Sequence, residues 1–153
     1  MDITIDDVIN ERLVVLDLQA ASRDDAIDQM AARLEADGRL TDRRAYVAEV
    51  RKREEEGGGT GMEMGVAIPH GKSAGVARAS VVFARSAAGV DFGDSEPSRL
   101  VFMIAAPQGT EDLHVTLLAK LARRLVHEEF RERLTQAPTP ADALDIIRSE
   151  VTL

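Results

Sequence analysis

The sequence predicts a single α/β (α+β) domain, residues 1–153, with a mixed central β-sheet flanked by helices. Runs of branched apolar residues, typical of strands, lie at 13–18, 80–85 and 99–107. Amphipathic helical patterns alternate with these strands, which indicates a layered α/β fold. Two helices precede a group of extended segments and two more follow it. This order favours a mixed sheet over a regular β-α-β winding.

The composition limits the classes of function. Hydrophobic residues make up 44% of the chain, which excludes a disordered acidic protein. The net charge of −8 argues against a nucleic-acid partner and permits electrostatic steering of a basic protein. There is no cysteine, so disulfide and thiol chemistry are excluded. The N-terminal MDITIDDVINERL lacks the regions of a signal peptide, and no apolar run approaches the roughly 20 residues of a membrane helix. We therefore expect a soluble cytoplasmic protein without membrane insertion.

The first third of the chain predicts a strand and a helix. The segment LVVLDL, 13–18, is the strand. Ser22 is a suitable N-cap for the helix that follows, and Gly38 is a suitable stop. The apolar positions between them repeat at helical spacing: Ala26, Ile27, Met30, Ala31 and Leu34.

A second helix and a short extended piece follow. The segment DRRAYVAEVRKREEE is helical, with Thr41 or Asp42 as its N-cap, and it ends at the glycines 57–59. Residues 66–68, VAI, are extended, because the proline after them disfavours helix at the preceding residue.

The second half contains the two clearest strands. These are SVVFAR, 80–85, and RLVFMIAAP, 99–107, joined by the turn-rich segment AAGVDFGDSEPS. A long amphipathic helix is predicted over 113–130, and a last helix begins at Thr139 or Pro140. The inner face of the long helix carries Leu117, Leu118, Leu121 and Leu125.

The tripeptide GKS at 71–73 suggests a nucleotide-binding P-loop, but the spacing does not fit. The pattern needs glycine where Val66 stands, and Gly65 is one position out of register. Pro69 and His70 inside such a loop would also remove an amide and crowd the phosphate.

Other short signatures are absent as well. Dinucleotide-binding patterns that start at Gly57 or Gly59 meet Met62 and Met64 where glycine is required, and no G-x-S-x-G elbow occurs. The histidines have no metal-ligand spacing, and without cysteine a zinc site would need distant carboxylates. We expect neither a metal nor a cofactor. The chain has three histidines: His70, His114 and His127.

His70 is the strongest candidate for chemistry. Pro69 stiffens the backbone before it, and Gly71 after it allows another surface to approach closely. An imidazole nitrogen is nucleophilic at neutral pH and can accept a phosphoryl group reversibly. Phosphoryl transfer depends mainly on positioning and charge stabilisation, so it needs few further groups. Candidate donors to the phosphate are Lys72, Thr60 and the amides of the glycine loop 57–61.

Each of these residues also has a purely structural interpretation. A histidine behind a proline is often a turn residue. His114, at the start of a helix where amides favour an anion, also fits a half-buried cap. His127 is interpreted as a solvated histidine in the C-terminal turn of the same helix. Lys72 and Arg53 can also be interpreted as solvated side chains. The glycine loop can be interpreted as a flexible connection. The residues alone indicate an α/β domain with a displayed histidine.

The segment TG-x-x-x-GVAIPH, 60–70, resembles the active-site signature of a known family. It is similar to the fructose/mannitol-type (type 2) enzyme IIA domains of the bacterial phosphoenolpyruvate-dependent sugar phosphotransferase system (PTS). GVDF at 89–92, LVFMIAAP at 100–107 and HVTLLAKLARRL at 114–125 match later landmarks of that family in order and spacing. The resemblance covers nearly the whole chain.

The resemblance implies a phosphocarrier with a mixed sheet flanked by helices. His70 would accept a phosphoryl group from the phosphocarrier HPr and pass it to a IIB (EIIB) component, which phosphorylates the sugar taken up through IIC (EIIC). His114 matches the second active-site histidine, which holds the phosphate or the ring. Thr60 and Arg53 would bind the phosphate. Arg53 is the nearest match to the family arginine, although it needs one extra residue before Thr60, and Arg51 is further out of register.

Two other functions compete with sugar transport. Some members of this family regulate nitrogen or potassium metabolism, or form part of transcription regulators, and signal by their phosphorylation state. The fructose-like motifs GVAIPH and GVDF favour transport. A hydrolase using His70 and His114 as acid and base would turn over without partners, but the sequence offers no separate substrate pocket for it.

Overall fold

A hairpin of two long strands forms the centre of the sheet in the computed structural model, which describes residues 3–153. The strands are β1 (Val14–Val15), β2 (Gly61–Met62), β3 (Val66–Ala67), β4 (His70–Ser73), β5 (Ser80–Val90) and β6 (Ser98–Pro107). The helices of the described residues are α1 (Ile5–Val8), α2 (Arg23–Ala36), α3 (Arg43–Gly57), α4 (Glu111–Leu125), α5 (Glu128–Gln136) and α6 (Pro140–Glu150).

The sheet is mixed, as predicted. Its order is β1-β5-β6-β3-β2, and β4 also pairs with β6. β5 and β6 are antiparallel, whereas β1 runs parallel to β5, and both β3 and β4 run parallel to β6. Val66 pairs with Leu100 and His70 with Ile104, so β3 and β4 follow each other along the same edge of β6.

Both faces of the sheet are covered at its centre. Residues 81–84 of β5 and 100–106 of β6 are buried without interruption, which requires packing on both sides because successive side chains point to opposite faces. Phe83 and Phe102, paired across the hairpin, stack with ring centroids 4.8 Å apart. Among the helices, α2 packs on β5, α3 on β4, α4 on β6 and α6 on β1. The predicted fold class is confirmed.

Side-chain caps and glycines mark the helix ends that the sequence predicts. The side chains of Ser22 and Asp42 each accept a hydrogen bond from a first-turn amide of α2 and α3, and Thr139 does the same for α6, where Pro140 is the first helical residue. After α2, Gly38 adopts φ +72°, and α3 ends at Gly58 with φ +74°.

The predicted strand 13–18 is shorter than expected. Only Val14 and Val15 pair with β5, and Leu13 belongs to a 3-10 turn. Beyond Val15 single hydrogen bonds to Arg85 of β5 take the place of a regular ladder. The carbonyl of Leu16 accepts one from the Arg85 side chain (3.2 Å), and the Leu18 amide donates one to the Arg85 carbonyl (2.9 Å).

The predicted long helix over 113–130 is wrong, because two helices occupy this stretch. α4 ends at Leu125, and His127 has extended backbone and precedes α5 as its N-cap residue. Arg131 of α5 donates to the carbonyl of Leu125 (2.6 Å) and so satisfies the end of α4. The break lets Phe130 and Leu134 of α5 reach the core. His127 is exposed as predicted, but between two helices rather than in a final turn.

No helix formed by residues 3–153 combines the length and apolarity needed to cross a membrane.

Candidate active site

His70 is the first residue of β4, not part of a loop. Its neighbour Pro69 accepts a hydrogen bond from the Ile104 amide (2.9 Å), and residues 70–73 continue this pairing along β6. His70 is half-buried. The sequence shows no strand here because G-K-S lacks branched apolar residues, and the pairing is provided by β6. The sheet therefore holds the backbone of this histidine rigidly.

A hydrogen bond determines which nitrogen of His70 is available. Its Nδ1 lies 2.7 Å from the backbone carbonyl oxygen of Ile68. A carbonyl can only accept, so Nδ1 carries the hydrogen and Nε2 keeps a free lone pair. The ring is thereby oriented as a nucleophile through Nε2.

His114 lies beside it, on α4. The two ring centroids are 5.3 Å apart and the ring planes make an angle of 58°. His114 is 7% exposed, and its Nδ1 has no hydrogen-bond partner among the described residues. Burial is the main cause that lowers the pKa of His114 to about 4, and electrostatic interactions with His70, Lys72 and Arg53 act in the same direction. His114 is therefore neutral at pH 7 and can donate one N–H.

The N-terminal turn of α4 carries His114 and has no side-chain cap. Thr110 is its N-cap residue but makes no side-chain cap, because its hydroxyl donates to the carbonyl of Pro107 (2.6 Å). The first-turn amides thus keep the partial positive charge of a helix N-terminus. The sequence predicts His114 at the start of a helix, and it lies in the first turn of α4.

Two cations surround the histidines. Lys72 is two residues beyond His70 on β4 and so shares its face of the strand. Arg53 is exposed at the end of α3, and its charge reaches His114. Arg51 instead pairs with Asp28 of α2 (3.3 Å). Of the two arginines considered, Arg53 is the one whose charge contributes to lowering the pKa of His114.

The segment between Arg53 and Thr60 consists of the end of α3 and a glycine turn. α3 continues through Gly57, and Gly58 turns the chain with a left-handed conformation. Gly59, at φ +110°, packs so closely that a Cβ there would lie 2.0 Å from the carbonyl oxygen of Phe92. The glycine loop is a tightly packed turn, and not a flexible connection.

The Thr60 hydroxyl has a partner within the protein. It donates to Oε1 of Glu54 (2.6 Å). Glu54 is fully buried, and sequence reasoning missed it. The sequence does place Glu54 directly after Arg53. Glu54 is, however, the first of three consecutive glutamates, and nothing in the sequence distinguishes it from the exposed Glu55 and Glu56.

The chain is similar to known proteins over nearly its whole length. The family model described as "Phosphoenolpyruvate-dependent sugar phosphotransferase system, EIIA 2" matches residues 7–150. The chain is 35% identical over 154 residues to the PTS system fructose-specific EIIA component of Haloferax volcanii, covering 99% of both. It is 36% identical over 145 residues to the PTS system fructose-specific EIIABC component of Bacillus subtilis, covering 94% of this chain but only 23% of that protein.

Two solved structures are similar throughout the chain. The nitrogen regulatory protein IIA-Ntr of Neisseria meningitidis superposes with a TM-score of 0.79 at 26% identity, covering 92% of this chain and 96% of that one. Enzyme IIA-Mtl of Escherichia coli, in its complex with phosphorylated enzyme IIB-Mtl, has a TM-score of 0.79 at 25% identity, covering 92% and 97%. The IIA-Mtl structure was determined together with a phosphorylated partner protein.

Proposed function

This chain belongs to the EIIA 2 family of the phosphoenolpyruvate-dependent sugar phosphotransferase system, and from that premise we propose that Nε2 of His70 is the atom that accepts the phosphoryl group. The chain is a phosphocarrier, a phosphotransferase component of the fructose-type system. The observation that carries the assignment of His70 is the hydrogen bond from its Nδ1 to the Ile68 carbonyl (2.7 Å), because it leaves Nε2 free.

The transfer step follows from that tautomer. The Nε2 lone pair attacks phosphorus and forms an N–P bond, while the P–N bond of the donor breaks and its electron pair returns to the donor's imidazole. Nδ1 of His70 keeps its hydrogen on the Ile68 carbonyl, so the ring needs no base to remove a proton. The same step in reverse delivers the phosphoryl group to the next acceptor.

Neighbouring groups stabilise the charge of the transferring group. The exposed Arg53 supplies a positive charge next to the histidines, and His114 supplies a neutral N–H donor. A loose phosphoryl-transfer transition state carries its charge on three equatorial oxygens, which such donors are suited to bind. Thr60 stays a prediction as a phosphate-binding residue, since its hydroxyl donates to Glu54 here.

The partners follow from the family and from charge. EIIA domains of this system pass the phosphoryl group to EIIB. We assign HPr as the donor and, beyond EIIB, EIIC as the sugar-transporting component of the permease, and we place this chain in the cytoplasm. The net charge of −8 supports association with a carrier that is basic around its own histidine, chiefly by raising the encounter rate.

A regulatory role is the second candidate. It is favoured by the similarity to IIA-Ntr, a protein named for nitrogen regulation. The full-length match to a fructose-specific EIIA component at 35% identity favours transport. Transfer to a fructose-type EIIB separates the two: a transport component passes its phosphate to EIIB, and a regulator retains it.

The test is phosphoryl transfer in a defined mixture of this protein, phosphoenolpyruvate, enzyme I and HPr. We expect a gain of one phosphate by intact mass, labile in acid and stable in alkali, that is absent in His70→Ala. His127→Ala is the matched control, because that histidine is exposed and separate from the pair. A His70→Ala variant that is phosphorylated at the full rate would refute the assignment. Phosphate release by this protein without partners would favour the hydrolase.

A further inference from the structure

Glu54 is the buried acidic group closest in sequence to the proposed site. Its neighbours Glu55 and Glu56 are exposed, whereas Glu54 has no exposed surface. Burial raises its pKa, opposed by hydrogen bonding from Thr60 and by the charge of Arg23. Its Oε2 has no hydrogen-bond partner among the described residues. A buried carboxylate costs free energy, so its partner interactions indicate what it does.

Those interactions join the end of α3 to the signature segment. Glu54 accepts a hydrogen bond from the Thr60 hydroxyl at 2.6 Å. Charge-assisted bonds of this kind are short and strong. On its other side, Gly61 donates its amide to the carbonyl of Phe92 (2.9 Å). Thr60 and Gly61 are thus held from two directions.

The same hydrogen bonds continue to the acceptor histidine. The carbonyl of Thr60 accepts the Ile68 amide (3.4 Å), and the carbonyl of Ile68 accepts Nδ1–H of His70 (2.7 Å). A chain of hydrogen bonds therefore runs from Glu54 through Thr60 and Ile68 to the imidazole. Partners that hold the second nitrogen of a functional imidazole determine its tautomer and orientation.

We propose that Glu54 is a positioning residue for His70, acting through Thr60 and Ile68 to keep the imidazole in the Nδ1–H tautomer. This inference rests on the proposed function of His70 as phosphoryl acceptor. It also gives Thr60 a supporting role: its hydroxyl is engaged by Glu54 and supports the ring by way of that carboxylate.

The first test measures the tautomer of His70 by ¹⁵N NMR of the ring in the unphosphorylated protein. The wild type should be mainly Nδ1–H. Thr60→Val, which removes only the hydroxyl, and Glu54→Met, which removes the acceptor, should lower the ratio of Nδ1–H to Nε2–H by about fivefold, the worth of about one hydrogen bond. Thr60→Ser should restore the ratio. Glu55→Met, at the exposed neighbour, is the matched control and should leave it unchanged.

The second test is the rate of phosphorylation by phospho-HPr at saturating donor. Thr60→Val and Glu54→Met should each slow it by about tenfold or more, since small misplacements of a reacting group are costly. The double variant should be no slower than Glu54→Met alone, because the two changes break one connection. Melting curves establish that each variant is folded.

Several results would overturn the proposal. These are a wild-type ring that is not Nδ1–H, a ratio unchanged in Glu54→Met, or rate effects of the two variants that multiply. A slow Thr60→Val with a normal Glu54→Met would mean that Thr60 contacts the phosphate itself. If the wild type is not phosphorylated at all, the proposed function fails, while the tautomer measurement, which needs no donor, still decides the role of Glu54.

Discussion

The rings of His70 and His114 lie with their centroids 5.3 Å apart, one held on a strand and the other on a helix. Two protonated imidazoles this close would repel each other. Burial and the surrounding cations avoid this by lowering the pKa of His114 to about 4, so the second ring is neutral when the first reacts. The pair thus combines a nucleophile with a neutral hydrogen-bond donor.

Removal of the second ring should slow transfer without removing the acceptor. We expect His114→Ala to lower the rate of phosphorylation by phospho-HPr by about 10²-fold or more, the usual effect of losing one donor to a developing charge. The measurement is single-turnover transfer followed by intact mass. His127→Ala should retain the wild-type rate. Unchanged forward and onward rates in His114→Ala would remove its proposed role.

The same histidine should make stability depend on pH. The pKa of His114 is about 4 in the folded state and near 6.5 when unfolded, so between these values the unfolded chain binds more protons. The contribution of His114 to the free energy of unfolding is complete above pH 6.5 and falls by up to about 3 kcal/mol on acidification to pH 4. Urea titrations of wild type and His114→Gln at several pH values measure it. Parallel pH profiles would contradict the prediction.

A buried ion pair outside the site should also contribute to stability. Asp37 accepts hydrogen bonds from Asn10 (2.9 Å) and Arg39 (3.0 Å), and both members of the Asp37–Arg39 pair are almost fully buried. We expect Asp37→Ala to lower the free energy of unfolding by about 3–5 kcal/mol, because Arg39 would be left buried and unpaired. Arg12, which also pairs with Asp37 but is 73% exposed, provides the control. Arg12→Ala should cost about 1 kcal/mol or less in urea unfolding.

The pH dependence of this pair has the usual sign for a carboxylate. Burial alone would raise the pKa of Asp37, but the hydrogen bonds from Asn10, Arg12 and Arg39 lower it to about 2, against 3.8 for the free group. The stabilisation is therefore complete above pH 4 and lost as the pH falls to about 2. Equal acid sensitivity of wild type and Asp37→Ala below pH 4 would contradict this account.

Two glycines at the end of α3 and in the turn after it should respond oppositely to alanine. At Gly59 the φ is +110° and a Cβ would lie 2.0 Å from the Phe92 carbonyl oxygen, so Gly59→Ala should destabilise by about 1–3 kcal/mol. At Gly57, which is helical, nothing lies within 4 Å of a Cβ. Gly57→Ala should stabilise by about 0.5–1 kcal/mol. Thermal melts of the two variants measure both effects, and shifts of the same sign would contradict the comparison.

Local patterns predicted the elements whose causes are local. Ser22, Asp42 and Thr139 cap their helices through their own side chains, and Gly38 ends α2 because its φ is positive. Interactions between distant segments overrode local patterns elsewhere. The apolar periodicity continues through 113–130, yet the chain breaks before α5, where Arg131 satisfies the end of α4. β4 is a strand only because β6 lies beside it.

By itself the sequence determined the fold class and the helix caps, because that information lies within a few residues of each, and it singled out His70 as a candidate, whereas the role of Arg53 was implied only by a family resemblance. Only the tertiary structure decided that His114 is buried and neutral, that Arg51 pairs with Asp28, and that Thr60 donates to Glu54. Burial and pairing depend on which distant segments pack together, and no local spacing specifies the surroundings of a charge.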